Sequence, residues 1–149
     1  MAALLSKFRI SHLLAWLLLW VSLTVEAEIA IIVHPENPVQ ALSERDIKKL
    51  FLGRIRMFPG TTDAPIVVDQ PAGTAVHSVF YSGFINMEPE KLKRYRASYL
   101  FSGQGMLPLT VDDALQVRDY VASHPGAIGY VNAEIVDDSV KVVFKVSDR

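Results

Sequence analysis

Apolar positions recur with two different periods along residues 28–149, and the switches between them outline a fold. Residues 28–33 (EIAIIV) form a short apolar run rich in Ile and Val, which predicts a buried central strand. His34-Pro35-Glu36-Asn37-Pro38 ends it, because proline cannot donate to a central ladder. Ile47, Leu50 and Phe51 then repeat at i, i+3 and i+4, the stripe of an amphipathic helix. Ser43 is placed to cap that helix, with Asp46 reaching back, and Gly53 ends it. Residues 54–62 read as a loop turning at Pro59-Gly60, and residues 65–68 as a second strand.

Thr74 can cap a second helix running to about Asn86, with Val76, Val79, Phe80 and Phe84 on one face. Pro89 suits the first turn of a third. Its buried side would carry Leu92, Tyr95, Tyr99 and Leu100, and its wet side Lys91, Lys93, Arg94 and Arg96. Residues 101–109 read as a loop, and Thr110 with Asp113 as a capping box opening a helix to about Ser123. A strand at 128–131, a turn at Asp137-Asp138 and a closing strand at 140–146 complete the pattern. There is no internal repeat, low-complexity segment or linker. Strands alternating with helices predict one layered α/β domain, a mixed β-sheet flanked by helices, over residues 28–149.

The residues before this pattern differ in kind. Lys7 and Arg9 precede an uncharged apolar run at 13–25, and Val25-Glu26-Ala27 offers a cleavage site. Residues 1–27 therefore read as a secretory signal peptide, with a periplasmic product and contact with the membrane only through that segment before cleavage. The alternative is an uncleaved anchor, for which the run is short of the roughly 20 apolar residues a spanning helix needs. Without this leader the chain has 13 basic and 15 acidic residues, a formal net charge of −2. That balance argues against nucleic acid, whose partners carry a strongly basic footprint. The chain has no cysteine, which removes disulfides, thiol chemistry and lipid attachment at cysteine.

One stretch carries chemistry. Between the second strand and second helix, Asp69-Gln70-Pro71-Ala72-Gly73-Thr74 turns into a helix start. The unpaired amides and partial positive charge there form a ready anion site, which Gly73 would let an oxyanion approach. The Thr74 hydroxyl could donate a further bond. Taken from spacing alone, Thr74 is equally an ordinary N-cap and Gly73 an ordinary turn glycine. His34, His77 and His124 stand apart from one another, without metal-ligand spacing, and neither acidic pair has a calcium-loop pattern. Ser102-Gly103-Gln104-Gly105 lacks the lysine and hydroxyl residue of a phosphate loop. No cofactor is called for, and no ordered nucleophile-base set points to an enzyme.

Four short motifs in sequence order add a family reading. They are Leu50-Phe51-Leu52-Gly53, Asp69-Gln70-Pro71-Ala72-Gly73-Thr74, Phe101-Ser102-Gly103, and residues 125–131 (PGAIGYV). In the last, Gly126 and Gly129 sit where the backbone must turn or admit a close neighbour. Together the four resemble the second lobe of the phosphate-type periplasmic solute-binding proteins. The resemblance implies a single-lobe, type II periplasmic-binding-protein-like fold and non-catalytic binding of a small oxyanion such as phosphate. A membrane permease or a sensor protein is the implied partner.

The chain departs from that pattern at the ligand turn. The family's turn reads Arg-x-Asp-Gly-Ser-Gly-Thr, and here Val68, Gln70 and Ala72 occupy the Arg, Asp and Ser positions. The bidentate arginine contact is gone. What carries over as ligand-binding is Gly73, Thr74 and the helix amides after them, beginning at Ala75. Asp69 is offset by one residue and is expected to point elsewhere. Residues 28–149 also match one lobe where the family closes two on its ligand. The competing expectation is therefore a ligand-free interaction module, an accessory subunit of an envelope sensor or transporter.

Overall fold

The computed structural model describes residues 28–147. The leader assigned to 1–27 lies outside these residues. Five strands form one mixed sheet in the order β3-β2-β4-β1-β5. They are β1 (Ile29–Val33), β2 (Ile66–Asp69), β3 (Leu109–Thr110), β4 (Ala127–Asn132) and β5 (Lys141–Val146). β2 runs parallel to both β3 and β4, whereas β1 is antiparallel to β4 and β5. This is the mixed, helix-flanked α/β architecture that the alternating pattern predicts.

β1 is at the middle of the sheet because it can be dry on both sides. All five of its residues are fully buried. Ile29, Ile31 and Val33 point into one core with Ile128 and Tyr130 of β4. Ala30 and Ile32 point into another with Val68 and Val131. The first core is covered by three helical segments. α1 (Glu44–Phe51) contributes Ile47, Leu50 and Phe51, and its Ser43 cap accepts the Asp46 amide. α2 (Ala75–Ser78) continues as a wider π-helical turn over Val79–Ile85, which contributes Phe80 and Tyr81. α3 (Pro89–Phe101) contributes Leu92. The second core is covered by α4 (Ala114–Ser123) through Val117 and Val121.

α4 lies so close to β4 that a Cβ at Gly129 would collide with Val117 Cγ1. The second glycine of the 125–131 motif therefore serves a close approach between helix and strand.

Three sequence expectations change. Thr110 does not open a helix: it ends β3, pairing beside Asp69. Asp113 alone caps α4, its carboxylate accepting the Gln116 amide at 2.9 Å. The edge of β2 needs a partner, and an extended Thr110 supplies one. Leu100 does not face the core; it is 56% exposed. Arg96 does not lie on the wet face of α3; it reaches inward to β2. Tyr95 and Tyr99 are half-buried, and their hydroxyls donate to the carbonyls of Leu52 and Gly53. Carbonyls freed at the end of a helix need such donors.

Candidate functional site

Because β2, β3 and β4 are parallel, their carboxyl ends meet at one margin of the sheet: Asp69, Thr110 and Asn132. In open α/β sheets ligands bind outside the carboxyl ends of the strands. The turn from β2 into α2 lies at this margin. Gly73 adopts φ +93, a left-handed value that suits glycine, and a Cβ there would meet nothing within 4 Å. Thr74 is the N-cap: its Oγ1 accepts the His77 amide at 3.3 Å and donates to the Pro71 carbonyl at 3.2 Å. Its proton is thus committed within the turn, and a bond from this hydroxyl to a ligand requires it to rotate. The amides of Gly73, Ala75 and Val76 have no partner among the described residues. Gly73, Thr74 and Ala75 therefore stand side by side on an open turn.

Directly behind the turn is a group that sequence reasoning passed over. The Asp69 carboxylate is fully buried. Its Oδ1 accepts from the Tyr130 hydroxyl at 2.6 Å and the Gln70 amide at 2.8 Å. Its Oδ2 accepts from Arg96 Nη2 at 2.6 Å and the Tyr81 hydroxyl at 2.9 Å. Arg96 Nη2 also donates to the Tyr81 oxygen at 2.7 Å. Four donors saturate the carboxylate, which is how a buried charge is tolerated. Asp69 thus points into the core face and away from the open turn. Burial first, and Asp69 next, push Tyr81 and Tyr130 well above the usual phenol range. Burial acts to lower Arg96, but Tyr81 and Asp69 outweigh it and hold the guanidinium charged.

His77, three residues into the helix from Thr74, is 3% exposed, and its ring packs on Tyr81 with centroids 4.6 Å apart. Burial, the largest effect, lowers its pKa against the opposing pull of Asp69. Its Nε2 has no hydrogen-bond partner, and neither does the buried Oδ1 of Asn132. By strand alternation Asn132 shares the sheet face of Tyr130. Two orphan polar atoms thus sit on the α2 side of the sheet near its carboxyl margin.

One signal for this cluster was present in the sequence. Arg96 lies four residues after Leu92, on the same helical stripe, a position from which its side chain can reach the sheet. Among the described residues no three His, Cys, Asp or Glu side chains gather as a metal site would require.

No family model matches the chain. Solved structures do. A proposed phosphate ABC transporter substrate-binding protein with bound phosphate, from Clostridium perfringens, matches with TM-score 0.64 and 26% identity over 80% of this chain and 46% of its own. An ABC-type phosphate transport receptor from Vibrio cholerae matches with TM-score 0.62 and 20% identity over 78% of this chain and 46% of its own. PstS from Borrelia burgdorferi matches with TM-score 0.61 and 18% identity over 80% of this chain and 48% of its own. The chain therefore spans less than half the length of each of these three structures. Its fold is similar to a single lobe of the phosphate-type substrate-binding proteins of ABC transporters.

Proposed function

We propose that this lobe is exported to the periplasm, its leader cleaved, and that it binds a small oxyanion of the phosphate class without catalysis. The supporting observation is the run of unpaired amides at Gly73, Ala75 and Val76, on the carboxyl margin of the sheet. In the resemblance, this turn is the anion contact. Asp69 faces away from the turn with its charge paired to Arg96 and its oxygens bonded by the hydroxyls of Tyr81 and Tyr130, so it does not oppose the ligand. The lobe alone lacks the arginine and serine contacts, at Val68 and Ala72, and leaves the anion in water. Binding at the millimolar level, roughly 4 kcal/mol, is the scale such a half-site supports. Function in uptake would require a membrane permease.

The test is a thermal melt in phosphate, sulfate and chloride at matched ionic strength. Phosphate at 100 times its dissociation constant stabilises by about 2.7 kcal/mol. A phosphate-selective rise of several degrees, reduced by Thr74→Ala, is the expected result. An equal response to all three salts refutes it.

A second reading has one observation in its favour. Phe101 and Met106 are each 89% exposed, and Leu100, Leu107 and Leu109 lie exposed beside them in the chain. Where such exposed apolar side chains share one surface they mark protein contact sites. It supports the ligand-free interaction module, and the equal-salt outcome would favour it.

A further inference from the structure

A concavity that Gly73, Thr74 and Ala75 do not line sits beside the amino ends of β2 and β3. It is bounded by the end of α1, the tyrosines of α3 and the loop at 102–108, and encloses about 430 Å³. That is within the range of about 300–1,000 Å³ typical of small-molecule sites. Its walls are mostly apolar, including Ile55, Pro65, Val67, Tyr95, Tyr99 and Leu107. The tyrosine rings stack 5.7 Å apart, and their hydroxyls are committed to the carbonyls of Leu52 and Gly53. With those protons committed, the tyrosines offer a ligand ring surface and no free hydroxyl donor.

The charged side chains in the lining are Arg56 and Arg96, and no carboxylate lines it. The two arginines are not equivalent. Arg96 is bound to Asp69, so its charge is spent inside the fold. Arg56 is exposed and has no carboxylate partner among the described residues. One of its N–H groups donates to the Gln104 carbonyl at 2.5 Å, which ties the 102–108 loop across the cavity. A guanidinium has five N–H donors, so the others are free to bind an anion.

An apolar chamber with one uncommitted cation selects a ligand with an apolar body and a single anionic end. We propose that this cavity binds a small amphipathic carboxylate, its hydrocarbon against Tyr95 and Tyr99 and its carboxylate on Arg56. Such a ligand differs from a free oxyanion, and its site is separate from the Gly73 turn.

Octanoate is the probe, titrated calorimetrically into the protein as processed by its expressing host, with 1-octanol as the uncharged counterpart. Octanoate is expected to bind at least tenfold more tightly than octanol. Arg56→Gln should remove that preference, and Arg56→Lys, which keeps the charge, should retain most of it. Ala64→Trp, at an exposed position on the rim, should block both ligands. Thr74→Ala should leave octanoate binding unchanged, whatever phosphate does in the melt. Circular dichroism confirms that each variant is folded. No octanoate heat at millimolar concentration, equal affinity for octanol, or binding that survives both Arg56→Gln and Ala64→Trp would each overturn the assignment.

Discussion

Asp69 shows how one residue can matter without touching a ligand. Its four hydrogen bonds join β2, β4, the π-helical turn and α3. Asp69→Asn keeps the shape but removes the charge that Arg96 faces, leaving a cation largely out of water. Losing one partner of a buried pair costs about 3–5 kcal/mol, and partial exposure of Arg96 sets the lower end as the expected loss in urea unfolding. His77 predicts an acid limb. In the unfolded chain histidine takes up its proton near pH 6.5, while buried His77 resists it to lower pH. Below pH 6.5 the unfolded state then binds more protons, so stability falls as pH falls, by up to about 1.4 kcal/mol per pH unit. His77→Gln should flatten this slope between pH 6.5 and the point where folded His77 also protonates. The sequence did not reveal the cluster because its members are 61 residues apart at the widest, and burial of a charge is a tertiary fact. Asp69 read as a loop residue because it follows an apolar run, and only the sheet shows that the run's last side chain turns inward.

At the scale of elements, the local signals were legible where chemistry and geometry coincide within a few residues. The Ser43 and Thr74 caps stand where their side-chain oxygens and the following apolar stripes put them. The Thr110 start failed because the competing demand came from elsewhere: β2 offered an open edge, and two extended residues filled it. On the wet face of α3, Lys91, Lys93 and Arg94 are exposed as expected, and Arg96 alone departs for a related reason, since it found a partner on β2. Contact between α4 and β4 depends on a missing side chain. Gly129→Ala inserts a methyl group against Val117 and Val121. Overpacking of this kind costs about 1–3 kcal/mol, and a drop of that size in the urea midpoint stability is expected. Val117→Ala in the same protein should recover part of it by making room. Additive losses from the two substitutions would show that the helix and strand are not coupled at this point.

For the whole molecule, the ordered motifs were enough to anticipate a layered α/β lobe, and the structural matches agree with that reading. The turn from β2 into α2 was legible as a place, because a strand, a glycine and a cap occur in order. Its competence was not, because the hydroxyl's commitment to Pro71 and the inward Asp69 are geometric. The topology has one more consequence. β1 is the earliest strand among the described residues, yet its two neighbours are β4 and β5, and Ile29 pairs with Asn132 and Val146. Every rung of the central ladder therefore closes a loop of roughly a hundred residues, the long-range pairing that slows folding. Synthesis from the amino end makes Ile29–Val33 long before either neighbour: one edge is uncovered until Ile128–Asn132 is made and the other until Lys141–Val146 follows. Five apolar residues, all fully buried in the finished fold, are thus exposed while the rest of their sheet is made, and their safe passage falls to whatever holds the nascent chain.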